Sequence, residues 1–526
     1  MSSASASRAS YDVVIVGGGH NGLTAAAYLA EAGLSVLLLE RLDHTGGAAI
    51  STEAFRGLGA RLSRYAYLVS MMPERIVRDL ALPLELRSRG VASYSPTVRD
   101  GGHVGLFIEH GDGEETRESF RALTGSDEEY DAWRAFYSEV GAMAAVIAPT
   151  LTSPLPPART LQKQVDPGIW DAVVHRPLSE VIEQRFTDDL VRGVVATDAV
   201  IGTFAGLDDP SLVQNRCFLY HLIGNGTGEW KVPVGGMGAV TQALHRAAVE
   251  RGAEILTGAG VSSIRGDEDG AEVTWDTPGR RHSVRARHVL SNVAPWVLRI
   301  LLGDDQEDLK PSGAQLKINF LLSRLPKLKS GDDPAKAFAG TFHVAEEYSA
   351  LARSYKEASS GSIPSSPPGE FYCHSLTDPT ILGDLADQGV HTLTYFGLHM
   401  PEALFAGDLA RQKAEAVRRA IAAVDEHLEE PLMDCVLIGP NGKPCIEAKV
   451  PQDVEADLAM PGGHIFHGDL SWPWASSREA LDTPAQQWGV STDIGSVLLC
   501  GAGARRGGAV SGLGGHNAAQ AVLAAR

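Results

Sequence analysis

Gly17, Gly19 and Gly22 stand at the spacing G-x-G-x-x-G, and Glu40 follows about 20 residues on. Glycines so placed permit a tight turn, let the backbone approach a pyrophosphate, and let a helix pack closely on a strand. The carboxylate can hold ribose hydroxyls. The chemistry implied is the grip of a dinucleotide. The chain continues Glu40-Arg41-Leu42-Asp43-His44-Thr45-Gly46-Gly47. The pair Gly46-Gly47 can lay backbone amides beneath an extended ligand. That favours FAD over NAD, because a flavin reaches beyond the pyrophosphate. Gly258-Ala259-Gly260 runs into Val261 and a strand pattern, so a separate NAD(P)H domain is not expected.

These residues need particular elements. Residues 11–16 form a short β-branched run, which predicts a buried strand. Residues 21–32 are rich in Ala and Leu and close at Gly33, which predicts a helix with a glycine stop. Residues 34–40 predict a second strand and complete a βαβ unit with parallel pairing. Further strands are expected over 253–264, 271–275, 286–291 and 497–500. Helices are expected over 73–82, 128–147, 239–250 and 515–525. The segment 216–230 carries Gly224, Gly226 and Gly228 and reads as a loop, as do 149–157 and 359–369.

Strand–glycine–helix units at both ends and in the middle imply an α/β protein. The expected architecture is a discontinuous Rossmann-like FAD-binding domain with an inserted α+β substrate-binding domain. Residues 1–90, 221–310 and 485–526 would form the first, and residues 91–220 and 311–484 the second.

The chain has 526 residues, 44% hydrophobic and 21% charged, within the globular range. Its 46 basic and 65 acidic residues give a net charge of −19. Nucleic-acid backbones and anionic membrane surfaces should repel it. Five scattered cysteines, without C-x-x-C, fit a reducing compartment, and we expect a cytoplasmic protein. No apolar run approaches the ~18 residues of a membrane span. Composition leaves a monomer and a homodimer both open.

The chain resembles the phytoene desaturase-related FAD-dependent oxidoreductases of the amine oxidase superfamily. Within them it is most similar to the branch named pyridine nucleotide-disulfide oxidoreductase domain-containing protein 2. The resemblance rests on residues 40–49, 233–238, 312–319, 378–379, 460–468 and 499–503. It implies that a C-terminal segment with Gly501, Gly503, Gly508, Val510 and Gly512 passes the flavin. The last helix would then aim its N-terminus at the flavin, where its dipole stabilises negative charge. It implies that Val261 holds adenine through its backbone, and that Lys317 matches a lysine that contacts a water beside the flavin. An ion-paired surface lysine is the alternative.

His464 and His467, with Asp469, end a matched segment and are candidate proton acceptors. A structural role is the alternative, and no third ligand follows at a zinc spacing. Tyr65 and Tyr67 could line the flavin or pack in the core with their hydroxyls bonded, and Trp472 and Trp474 could wall a tunnel or, more simply, pack. Where the family usually has Thr/Ser-His-Pro, this chain has Ala504-Arg505-Arg506. Those two cations would tune the flavin, bind an acidic substrate, or simply pair at the surface. The resemblance implies two-electron oxidation of a small organic substrate, hydrophobic ones included, at a C–C or C–N bond, with hydride passing to flavin N5. Dioxygen or a quinone would reoxidise the flavin. Flavin-dependent isomerisation and a non-catalytic carrier of lipids or prenylated proteins are the other readings, and no metal is expected.

Overall fold

The computed structural model describes residues 6–111, 113–224, 228–304 and 309–526. Gly226 and residues 1–5 lie outside the described residues. The principal strands open with β1 (Ser10–Val16), β2 (Val36–Leu39), β3 (Ser93–Arg99), β4 (Gly102–Ile108) and β5 (Glu254–Leu256). They continue with β6 (Gly260–Gly266), β7 (Ala271–Thr277), β8 (Arg280–Ser291), β9 (Leu316–Leu322) and β10 (Thr341–Val344). The last are β11 (Gly369–Tyr372), β12 (His391–Gly397), β13 (Ile446–Lys449) and β14 (Val497–Leu499). The helices that matter most are α1 (His20–Glu31), α2 (Glu128–Ile147), α3 (Val213–Ile223), α4 (Met237–Glu250), α5 (Pro451–Leu458) and α6 (Leu513–Ala524).

Two large sheets organise the chain. The first runs β6-β7-β8-β1-β2-β5, with β14 also paired to β8. Its pairs β1–β2, β1–β8, β2–β5 and β8–β14 are parallel. β1 explains the apolar run in the sequence. Val13 and Ile15 face one core and Val14 and Val16 the other, all four at 3% exposure or less. A strand covered on both faces has no polar side to show, and each such side chain contributes about 1.5–3 kcal/mol on burial. Side chains of α1, α4 and α6 cover the first face. Those of β6, β7 and the helix Pro295–Leu301 cover the second, around the fully buried Trp275.

The second sheet runs β13-β9-β12-β11-β10-β3-β4 and is antiparallel except where β10 meets β3. Beside it, residues 114–223 form mostly helices around a core with Phe136, Trp170, Phe186 and Phe218. Every strand of the first sheet falls within residues 1–90, 221–310 or 485–526, and every strand of the second within 91–220 or 311–484.

Two expectations need correction. Residues 253–264 are not one strand. The chain breaks at Gly258, where φ is +65°, so that β5 pairs with β2 while β6 pairs with β7 at the opposite end of the first sheet. The crossing is held by Gly258 N to Leu42 O and Ala259 N to Glu40 O, at 2.7 and 2.8 Å. The segment 216–230 is also not all loop. α3 runs on to Ile223, because its buried face, with Cys217, Phe218 and Tyr220, belongs to the helical core. The five cysteines are free and buried. No helix among the described residues is long and apolar enough to cross a membrane.

α1 and α6 meet through a glycine. A Cβ on Gly515 would lie 1.9 Å from the Asn21 carbonyl oxygen. Gly515→Ala should therefore push the helices apart and cost about 1–3 kcal/mol, read as a lower melting temperature. An unchanged melt would contradict this packing.

Candidate active site

The carboxyl ends of β1, β2 and β8 converge on one cavity of about 320 Å³. In open parallel sheets this is where ligands bind. Gly17 follows β1 with φ +103° and gives its N–H to Leu39 O at 2.8 Å. Its own carbonyl accepts from Asn292 Nδ2 at 2.9 Å. A Cβ on Gly22 would strike that carbonyl at 2.3 Å, so Gly22 lets α1 start directly beneath the turn. A Cβ on Gly19 would have only Asn292 Nδ2 near it, at 3.1 Å, and Gly19 lines the cavity.

α1 begins with no side-chain cap and no acid in its first turn. Its free N–H groups and positive dipole end suit an anion. The buried ring atom His20 Nε2 has no partner in the protein, and the residue lines the cavity. The residues present therefore fit the phosphates of a dinucleotide.

Glu40, at the end of β2, accepts from Gly18 N and Leu42 N, one to each oxygen and both at 2.7 Å. Each oxygen keeps a lone pair for a ribose hydroxyl. Arg41 lines the cavity and donates to the Asp457 carbonyl at 3.0 Å. Val261 lines it at the start of β6. Gly46 gives its N–H to Gly18 O at 2.8 Å and sits at φ +124°, behind Gly47, which reaches the cavity wall.

At the inner end of the cavity stand Lys317, Tyr67, Phe396, Trp230, His221 and His467. Lys317 is on β9, 4% exposed, and is not a surface lysine. Its Nζ donates to Ser63 O at 2.9 Å and lies 4.8 Å from the centre of the Tyr67 ring. Burial pulls its pKa down to about 7, against a smaller opposing pull from Glu447. Tyr67 packs on Tyr372 and Phe396, at 4.9 and 5.8 Å between ring centres. Tyr372 donates to Glu370 at 2.6 Å, and burial beside Glu346 pushes Glu370 up to about 8.

The two candidate histidines separate. His467 lines the cavity with its Nδ1 buried and unpartnered, and burial lowers its pKa to about 3. His464 does not line the cavity. Its Nδ1 accepts the backbone N–H groups of Phe466 and Gly468, which makes it the clasp of its own turn.

The C-terminal segment reaches the cavity through residues other than its glycines. Gly501, Gly503, Gly508 and Gly512 do not line the cavity, whereas Ala502, Ala509 and Val510 do. A Cβ on Gly501 would come within 2.8 Å of Asn292 O, and one on Gly503 within 2.4 Å of Pro295 Cδ. One on Gly508 would come within 2.7 Å of Leu470 Cδ2, and Gly512 turns the chain at φ +71°. These glycines let the segment pack close behind the wall.

Arg505 bonds Glu479 and the Trp474 carbonyl. Arg506 is 1% exposed and donates to the carbonyls of Thr150, Ser153 and Trp488. Neither lines the cavity. Trp472 and Trp474 stack on each other, and Trp474 packs at a tilt against Trp170. Tyr65 lines the cavity and donates to Asp457 at 2.8 Å. Sequence reasoning did not single out His20, Asn292, Trp230 or Phe396. Asn292 follows a predicted strand directly, which was the one available signal; the others reach the wall through long-range packing.

The chain matches the family described as flavin containing amine oxidoreductase over residues 22–422. It belongs to that family. Flavin is the cofactor of the family, and a dinucleotide cradle makes it FAD. An uncharacterized Mycobacterium tuberculosis protein is 49% identical over 523 residues, 98% of this chain and 97% of the relative. Mouse pyridine nucleotide-disulfide oxidoreductase domain-containing protein 2 is 28% identical over 565 residues, 98% and 93% of the two chains. A putrescine oxidase structure, 19% identical, superposes with a TM-score of 0.57 over 98% of this chain and 99% of its own. This flavin amine oxidoreductase is thus an FAD-dependent oxidoreductase with the fold of the amine oxidases.

Gly19→Leu should fill the cradle, and the folded variant should purify without yellow colour, judged by absorbance near 450 nm. Glu40→Ala should weaken FAD less. Arg506→Ala should lower stability by about 1–3 kcal/mol through three stranded carbonyls, yet leave the flavin potential in place. A shifted potential would return Arg506 to the site.

Proposed function

We propose that this oxidoreductase desaturates a neutral, largely apolar organic molecule at a C–C bond. The observation that carries this reading is the cavity wall. Among the described lining residues the only carboxylate is Glu40, at the dinucleotide end and held by two backbone amides. A cationic amine at the inner end would meet Lys317 and no anion. Neutral apolar surface meets Tyr67, Phe396, Trp230, Ile201 and Ile465.

FAD, when bound, would supply the two-electron acceptor for a hydride from the substrate. The rest falls to the chain. Aromatic and aliphatic walls hold the substrate and exclude water, so alignment costs little further entropy. Desaturation releases a hydride and a proton as the double bond forms. Lys317 Nζ is the group we assign to take the proton. It is neutral above about pH 7 and has one fixed acceptor, Ser63 O, when charged. His467, with a pKa of about 3, is neutral across the working range and serves as a hydrogen-bonding wall.

The test starts with the visible spectrum under anaerobic conditions. Apolar polyenes should bleach the flavin, and simple amines should not; bleaching by amines alone would overturn the reading in favour of C–N oxidation. The return of colour in air or with a quinone identifies the acceptor. The folded pKa of Lys317 is depressed, so its charged form is lost as pH rises through about 7. The rate of bleaching should therefore rise through that pH. Lys317→Met should remove that limb and slow bleaching by roughly 10²–10⁴-fold. The same depression means the lysine destabilises the fold below about pH 7 and is relieved as pH climbs toward its ordinary value.

A further inference from the structure

A second cluster of chemistry-bearing groups lies behind the cavity wall, in the second sheet. His343 on β10 and Glu370 on β11 are direct cross-strand partners, so their side chains share a face. Glu346 follows β10 by two residues. The three are 6%, 2% and 1% exposed. One donor atom from each lies within 4.8 Å of the others, and no other His, Cys, Asp or Glu trio among the described residues is so gathered.

The surroundings hold these groups in place. Glu346 Oε2 accepts from Thr197 Oγ1 at 2.8 Å and from His343 Nδ1. Its other oxygen, Oε1, is buried with no partner. Glu370 Oε2 accepts from the Tyr372 hydroxyl at 2.6 Å. The helix that carries Thr197 is pressed on Glu346. A Cβ on its Gly193 would lie 1.8 Å from the Glu346 carbonyl oxygen.

Two carboxylates side by side in a dry site repel each other, and an unpartnered carboxylate oxygen there is costly. Without a cation the protonated imidazole offsets Glu346, and Glu370 is held neutral by its own proton, which a cation would displace. A divalent cation bonded to both carboxylates and a neutral imidazole offsets both charges and gives Oε1 a partner. An imidazole nitrogen with two carboxylate oxygens suits zinc, manganese or ferrous iron. Around a cation with bonds of about 2.1 Å, tetrahedral donors sit about 3.4 Å apart, so the hydrogen-bonded His343 Nδ1 and Glu346 Oε2 would part to admit it, while no pair of the cluster is more than 4.8 Å apart. Hydroxyls on the ligating carboxylates, here Tyr372 and Thr197, are the outer partners such sites use.

We propose that His343, Glu346 and Glu370 bind one divalent transition-metal cation. Its role would be structural. It would tie β10 and β11 to the Thr197 helix and fix Tyr372, on which Tyr67 of the cavity wall packs. The proposal does not depend on the substrate reading, because its test needs no substrate.

The experiment is elemental analysis of the tag-free flavoprotein, purified without chelator. It is followed by calorimetric titration of the chelator-treated protein with Zn²⁺ or Mn²⁺. About one ion per chain is expected. Glu346→Gln and Glu370→Gln should weaken binding by roughly 100-fold, and Thr197→Val, a milder change, by roughly tenfold. Metal far below one per chain with no saturable binding would overturn the proposal. So would binding that persists in folded Glu346→Gln, since that ion would sit elsewhere. Should the glutamine variants not fold, the wild-type ion content and Thr197→Val decide alone.

Discussion

The site depends on one close approach, that of the backbone after β1 to its neighbours. Gly17 can turn left-handed only because it has no side chain, and its carbonyl then reaches Asn292. Gly22 leaves room for that carbonyl, and Gly501 leaves room for the backbone of Asn292 on the other side. Three glycines and one asparagine thereby bring the start of α1, the end of β8 and the C-terminal segment to a single point. The uncapped end of α1 is left facing the cavity, and its free N–H groups are the binding surface.

Beyond that point the chemistry is governed by dryness. The cavity as a whole holds a lysine, three histidines and few water-accessible polar atoms. Burial favours the neutral form of Lys317, His20 and His467. It brings Lys317 to about 7 while leaving His20 and His467 far below neutrality. Lys317 is thus poised to exchange a proton near physiological pH, because its ordinary pKa starts well above that of the two histidines.

The misread residues show where local reasoning stops. Glycines mark both a cradle and a close helix–strand contact, and nothing local to Gly501, Gly503 or Gly508 tells the two apart. Their neighbours, Asn292, Pro295 and Leu470, are distant in sequence. Arg506 looked like a free cation beside a redox centre, but three carbonyls from separate segments enclose it. His464 and His467 are three residues apart, yet the turn between them sends one ring to its own backbone and the other to the cavity.

By itself the sequence determined the βαβ unit with its parallel β1–β2 pair and the dinucleotide grip of Gly17, Gly19, Gly22 and Glu40. These rest on contacts within about 30 residues, where spacing alone imposes geometry. Only the tertiary structure decided which residues form the inner wall. Lys317 comes from β9, Tyr67 from the segment after Gly47, Phe396 from β12 and Trp230 from the loop after α3. It alone also set His343 opposite Glu370. Sheet register and burial bring these side chains together across hundreds of residues, and neither is written in local periodicity.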